Sequence, residues 1–78
     1  MSNNMPGGWS NFNFSLTPEA LNVFGAAMEG FVGVSYKPLA FATQIVAGTN
    51  YCYLCQGKAV YPDAPDIAAK VYVFEPLQ

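Results

Sequence analysis

The stretch Leu39-Ala40-Phe41-Ala42-Thr43-Gln44-Ile45-Val46-Ala47-Gly48-Thr49-Asn50-Tyr51-Cys52-Tyr53-Leu54-Cys55 reads as two extended strands joined by a tight turn. On the first strand Leu39, Phe41 and Thr43 fall on one face. On the second, Tyr51, Tyr53 and Cys55 share a face while Cys52 and Leu54 take the other, in a run rich in β-formers. Ala47-Gly48 supplies the residue that tolerates positive φ, as a tight hairpin needs. Hairpin tips in solvent are usually Asn, Asp, Gly or Ser. Here the approach to the tip is Ile45-Val46-Ala47, an apolar protrusion that a monomer has little reason to expose.

Working outward, Gln56-Gly57-Lys58 interrupts the alternation and predicts a bend or bulge near Gly57, with the strand resuming through Ala59-Val60-Tyr61. Tyr61 to Asp66 is a turn-rich loop, and Ile67 to Phe74 alternates as a last strand. Upstream, Thr17 is a good N-cap, Pro18 fits the first helical position and Glu19 lies in the positive first turn. Apolar residues then recur with helical spacing, which predicts a helix from about Pro18 to about Glu29. It should bury Leu21, Phe24 and Met28, with Leu16 and Leu21 as a staple and Gly30 or Gly33 as the stop. Trp9 to Phe14 alternates weakly, as a short first strand or as a loop whose aromatics cover the core. Residues Met1 to Gly8 are polar and Gly/Pro-rich and read as a flexible arm. The expectation is one α+β domain over 1–78, a helix packed on an antiparallel sheet of three to four strands.

The composition excludes several classes. With 78 residues, 53% hydrophobic and only 10% charged, the chain has the profile of a small folded domain and not of a disordered one. Three lysines, no arginine and a net charge of −2 argue against nucleic acid. No apolar run reaches membrane-span length, and Met1-Ser2-Asn3-Asn4 lacks the basic start of an export signal, so no membrane and a cytoplasmic location are expected, with secretion of a trimmed mature form as the alternative. Cys52 and Cys55 spell C-x-x-C, but mid-strand, with no histidine and no second cysteine pair to complete a metal set. Three residues apart on a strand they point to opposite faces, roughly 10 Å apart at Cα, beyond disulfide reach. They are expected to be free thiols serving as small strand residues, in a reducing compartment. No nucleophile has a credible base, and Asp63 and Asp66 are turn residues, so neither an enzyme nor a cofactor is expected.

Taken in order, a Gly-Gly arm, one helix, an apolar Gln-x-Val-x-Gly hairpin and a late Pro-Leu pair resemble the cystatin family of cysteine protease inhibitors, most of all the disulfide-free stefins. Gln44-Ile45-Val46-Ala47-Gly48-Thr49-Asn50-Tyr51 is similar to the family's first binding loop and the strand after it. Gly7-Gly8-Trp9-Ser10 resembles the glycine-bearing N-terminal trunk, and Pro76-Leu77 falls where the second binding loop would lie. The resemblance covers essentially all 78 residues. It implies a cystatin-like fold and reversible, competitive, non-covalent inhibition of papain-like cysteine proteases. Gly7 and Gly8 would lay the arm along the cleft, Gln44, Ile45, Val46, Ala47 and Gly48 would enter it, and Pro76 and Leu77 would cap its far end. Gly48 keeps the tip narrow as a surface feature, and Gln44 bonds within the loop or to the cleft.

Two departures stand against that pattern. Many members place a tryptophan in the second loop, and none follows Trp9 here; the family's last strand is also lacking after Gln78. Without that strand the preceding one becomes a sheet edge with unpaired backbone groups. Either the first strand and arm compensate, or the edge pairs with another copy to form a homodimer. The same features define a second reading, a non-inhibitory binding or assembly module on the same fold.

Overall fold

The computed structural model describes residues 7–30, 34–59 and 61–77. The parts of the arm from Met1 to Pro6, and the helix-stop candidate Gly33, lie outside them. One helix, α1 (Pro18–Met28), packs against an open antiparallel sheet of three strands, β1 (Val34–Val46), β2 (Gly48–Ala59) and β3 (Asp66–Pro76), in the order β1-β2-β3. The architecture is α+β.

The helix begins as its sequence dictates. Thr17 has extended φ/ψ, its hydroxyl accepts from the Ala20 N–H at 3.1 Å, and Pro18 occupies the first turn, where a missing N–H costs nothing. It ends at Met28, followed by Gly30 at φ +86°, a left-handed position suited to glycine. Its inward face differs from the expected one. Ala20 and Phe24 are buried and Met28 packs at the margin of the core, but Leu21 is 47% exposed. The helix is rotated so that the small Ala20 comes closest to the sheet. This lets the Tyr53 hydroxyl donate to the Ala20 carbonyl at 2.8 Å, while the Phe24 and Tyr53 rings meet edge-to-face at 4.9 Å.

Tyr53 is the largest fully buried side chain, and around it gather Cys55, Phe41, Tyr51, Tyr36, Val71 and Val73. This is the face predicted for Tyr51, Tyr53 and Cys55. The tyrosines stack at 5.7 Å along β2, and Phe41 lies 6.3 Å from Tyr51 across the strand pair. Burial is the main cause that pushes the Tyr53 phenol well above its ordinary range, with the Tyr51, Cys55 and Glu75 charges adding to it. Cys52 and Cys55 are both unbonded and buried, Cys55 in this core and Cys52 on the opposite face.

The interruption of the ladder is displaced from the expected one. The register runs unbroken through Gly57, which pairs with Tyr36 on one side and Ile67 on the other. The irregularity lies instead in β1, where Pro38 pairs with Cys55 and Ala40 with Leu54, so Leu39 is extra. Pro38 brings no N–H to the ladder, and a bulge is where a strand proline is tolerated. One extra residue inverts the alternation. Tyr36, before the bulge, and Phe41, after it, both pack on the core although they are five residues apart. Leu39 itself is left 43% exposed.

The N-terminal segment runs antiparallel along the outer edge of β1 through isolated bridges, Trp9 with Gln44 and Asn13 with Phe41. It is thus a partial fourth strand. Trp9 turns onto the face away from the helix and meets Tyr72 of β3 edge-on at 6.0 Å. The floor beneath is small, Ala42 and Cys52, which leaves room for the indole. Among the described residues no strand pairs with the outer edge of β3.

Candidate binding edge

The hairpin between β1 and β2 is as short as a chain permits. Val46 pairs with Gly48, leaving Ala47 alone at the tip. Gly48 is at φ +126°, open to glycine and strained for any other residue. It is not a surface residue, however. A Cβ there would stand 2.6 Å from the Glu75 carbonyl oxygen and 2.8 Å from Cζ of Phe74, because Gly48 is buried against β3. The expectation that substitution at Gly48 touches only the surface is therefore corrected: the narrow tip is also a packing contact between β2 and β3.

The same register brings the remaining site residues to this end of the sheet. Gly48 pairs with Pro76, which is the last residue of β3 and not part of a loop beyond it, and Leu77 follows, three-quarters exposed. On the other side the Gly7 N–H donates to the Ile45 carbonyl at 3.1 Å. The Gln44 amide Nε2 donates to the Gly7 carbonyl at 2.9 Å, and its Oε1 accepts from Asn50 Nδ2 at 2.8 Å. Gly8 follows, half-buried. Farther along, Ser10 N–H donates to the Thr43 carbonyl at 2.8 Å, and the Ser10 hydroxyl accepts from the Thr43 N–H at 2.9 Å. Gly7, Gly8, Gln44 to Gly48, Pro76 and Leu77 thus form three adjoining segments in one row.

Ile45 and Val46 are both exposed, and as neighbours in a strand they point to opposite faces. The tip is therefore a thin blade with apolar groups on both sides and no charge between Gln44 and Gly48. The nearest acid by register is Glu75, partner of Thr49. Its charge and that of Glu19 add to burial, the larger cause, in raising the Tyr51 phenol. Asn50 and Ser10 were not among the expected site residues. A signal for Asn50 was available: a turn centred on Ala47 makes positions 44 and 50 obligatory partners, and both are amides.

Among the described residues no cluster of metal-ligating side chains occurs, and no helix is long and apolar enough to cross a membrane. Comparison with protein-family models, with curated proteins and with solved structures finds no match to this chain.

Proposed function

We propose that this chain is a reversible, competitive, non-covalent inhibitor of papain-like cysteine proteases, built on a cystatin-like fold and itself not an enzyme. The observation that carries the reading is the row formed by Gly7-Gly8, Gln44 to Gly48 and Pro76-Leu77, with the Ile45–Val46 blade in its centre. The resemblance of Gln44 to Tyr51 to the family's first loop assigns those same residues a role in the cleft. A protease groove is apolar and narrow, and a blade one residue wide at its tip fills it without laying a peptide bond across the catalytic thiolate. Gly48 is buried and paired with Pro76 of β3, so little order remains to be lost when the tip binds. A few hundred Å² of apolar burial from each segment, at about 25 cal/mol per Å², supports useful affinity after association costs. The two free thiols suit a reducing compartment, and we place the inhibitor in the cytoplasm.

The second reading, a non-inhibitory assembly module, draws on the 11-residue β3 edge with Tyr72 and Phe74 exposed. Papain activity on a small peptide substrate separates the two. Inhibition that substrate overcomes competitively supports the first reading. Full papain activity at micromolar protein, with a concentration-dependent mass in sedimentation, replaces it with the second.

A further inference from the structure

The two ends of the Gln44 amide do different work. Nε2 donates to the Gly7 carbonyl at 2.9 Å, and Oε1 accepts from Asn50 Nδ2 at 2.8 Å. A side-chain amide has nearly the same shape when turned over, with donor and acceptor exchanged. In the turned sense Oε1 would face the Gly7 carbonyl, acceptor against acceptor. A donor on the far side is what holds the amide in the bonding sense, and Asn50, the cross-strand partner of Gln44, supplies it. The Asn50–Gln44 bond is partly buried, which limits the water that could take its place.

Gly7 is held at both of its polar groups, its N–H by the Ile45 carbonyl and its C=O by Gln44. It sits at φ +84° with open space where a Cβ would be. A glycine in that region is the residue with most freedom to lose. Fixing it in the free protein removes that loss from the binding step.

We infer that Asn50 is a positioning residue: it sets the sense of the Gln44 amide, Gln44 fastens Gly7, and arm and hairpin meet a protease cleft as one preformed unit. The consequence for binding rests on the inhibitory reading above; the clasp itself does not.

The test begins with the free, isotopically labelled protein in solution. Asn50→Asp places a carboxylate, an acceptor only at neutral pH, opposite Gln44. The amide turns to donate to it, and the Gly7 carbonyl loses its donor. The expected result is at least tenfold loss of protection at the Gly7 amide and a heteronuclear NOE at Gly7 and Gly8 fallen to the level of a chain end. Amides from Tyr51 to Cys55 keep their protection, which shows the fold intact. Gln44→Glu, which cannot donate to Gly7, gives the same loss from the other partner.

Lowering the pH through the carboxyl range, around 4, restores the Gly7 NOE in Asn50→Asp, because the protonated acid again donates to Oε1. Residues 7–14 and 40–46 carry no titratable group. Cys52 and Tyr72 share the face of Asn50, and Glu75 adjoins its partner Phe74; all three are present in the unmodified protein, whose NOE should show no such step. Against papain, Asn50→Asp dissociates roughly tenfold faster, and deleting residues 1–8 from it costs less affinity than deleting them from the unmodified chain. An unchanged Gly7 NOE in both Asn50→Asp and Gln44→Glu overturns the clasp. If the unmodified protein leaves papain active, the inhibitory reading falls, while the NMR result still decides the role of Asn50.

Discussion

The two ends of β2 each carry a buried glycine, and comparing them separates shape from packing. At the hairpin end, Gly48 has positive φ, and a Cβ there would meet a backbone carbonyl oxygen at 2.6 Å. Backbone of a paired strand can retreat only by parting β2 from β3. At the other end, Gly57 has ordinary backbone geometry, and a Cβ would meet Cε1 of Tyr36 at 2.9 Å and Cγ1 of Ile67 at 3.0 Å. Those are side-chain atoms on the flanking strands, free to give by small rotations. The hairpin end is shaped by conformation and by a few hydrogen bonds to exposed segments. The middle of β2, under the helix, is held by aromatic packing around Tyr53. Binding and stability should accordingly respond to substitution at different points along one strand.

The sharpest division comes from Phe24→Ala, which empties the space against Tyr53. It should cost roughly 3–5 kcal/mol, read from the denaturant midpoint, because cavity and transfer terms add. Affinity for papain per folded molecule should not move. A loss under about 1 kcal/mol would mean that the helix face is not the core.

The glycines themselves come next. Gly48→Val should weaken papain binding by more than tenfold and also cost about 1–3 kcal/mol of stability, the strained φ and the contact with Glu75 both contributing. Gly57→Ala should cost about 1–2 kcal/mol by overpacking and leave affinity as it was. Equal effects of the two on affinity would erase the distinction between the ends.

The smallest effect is a pH dependence carried chiefly by the packed middle of β2. Tyr53, Tyr51 and Cys55 all have their proton loss pushed upward, chiefly by burial. Above the ordinary values, 9.0 for the thiol and 10.0 for the phenols, the unfolded chain sheds protons that the folded chain keeps. The unfolded state then binds fewer protons, so stability falls as pH rises from about 9 and is fully present below that. Tyr53→Phe should flatten this decline while costing about 1 kcal/mol at neutral pH through the lost bond to Ala20. Denaturation curves at pH 7 and 10.5 compare the two proteins; an undiminished alkaline loss in Tyr53→Phe would remove the core phenol as its source.

Much of this design is legible along the chain, where the signal is local. Thr17-Pro18-Glu19 sets the helix start because capping is settled within one turn. Alternation in Tyr51-Cys52-Tyr53-Leu54-Cys55 assigns the faces of β2 and separates the thiols, since a strand repeats every two residues. Ala47-Gly48 places the turn because of the demand for positive φ at Gly48. Tertiary structure decided what depends on partners distant in sequence. The bulge at Leu39 satisfies both Pro38 and the need to return Phe41 to the core, which no window of β1 alone reveals. Leu21 is left outside because Ala20 is small enough to approach Tyr53, and the hydrogen bond between them spans 33 residues. Gly48 is buried only because β3 extends to Pro76. The arm joins the hairpin because Gly7 and Ser10 pair with Ile45 and Thr43, and because Gln44, bonded to Asn50, reaches the Gly7 carbonyl 37 residues away. Local rules act over a few residues along the backbone, whereas pairing and packing are settled between segments that the chain brings together only when folded.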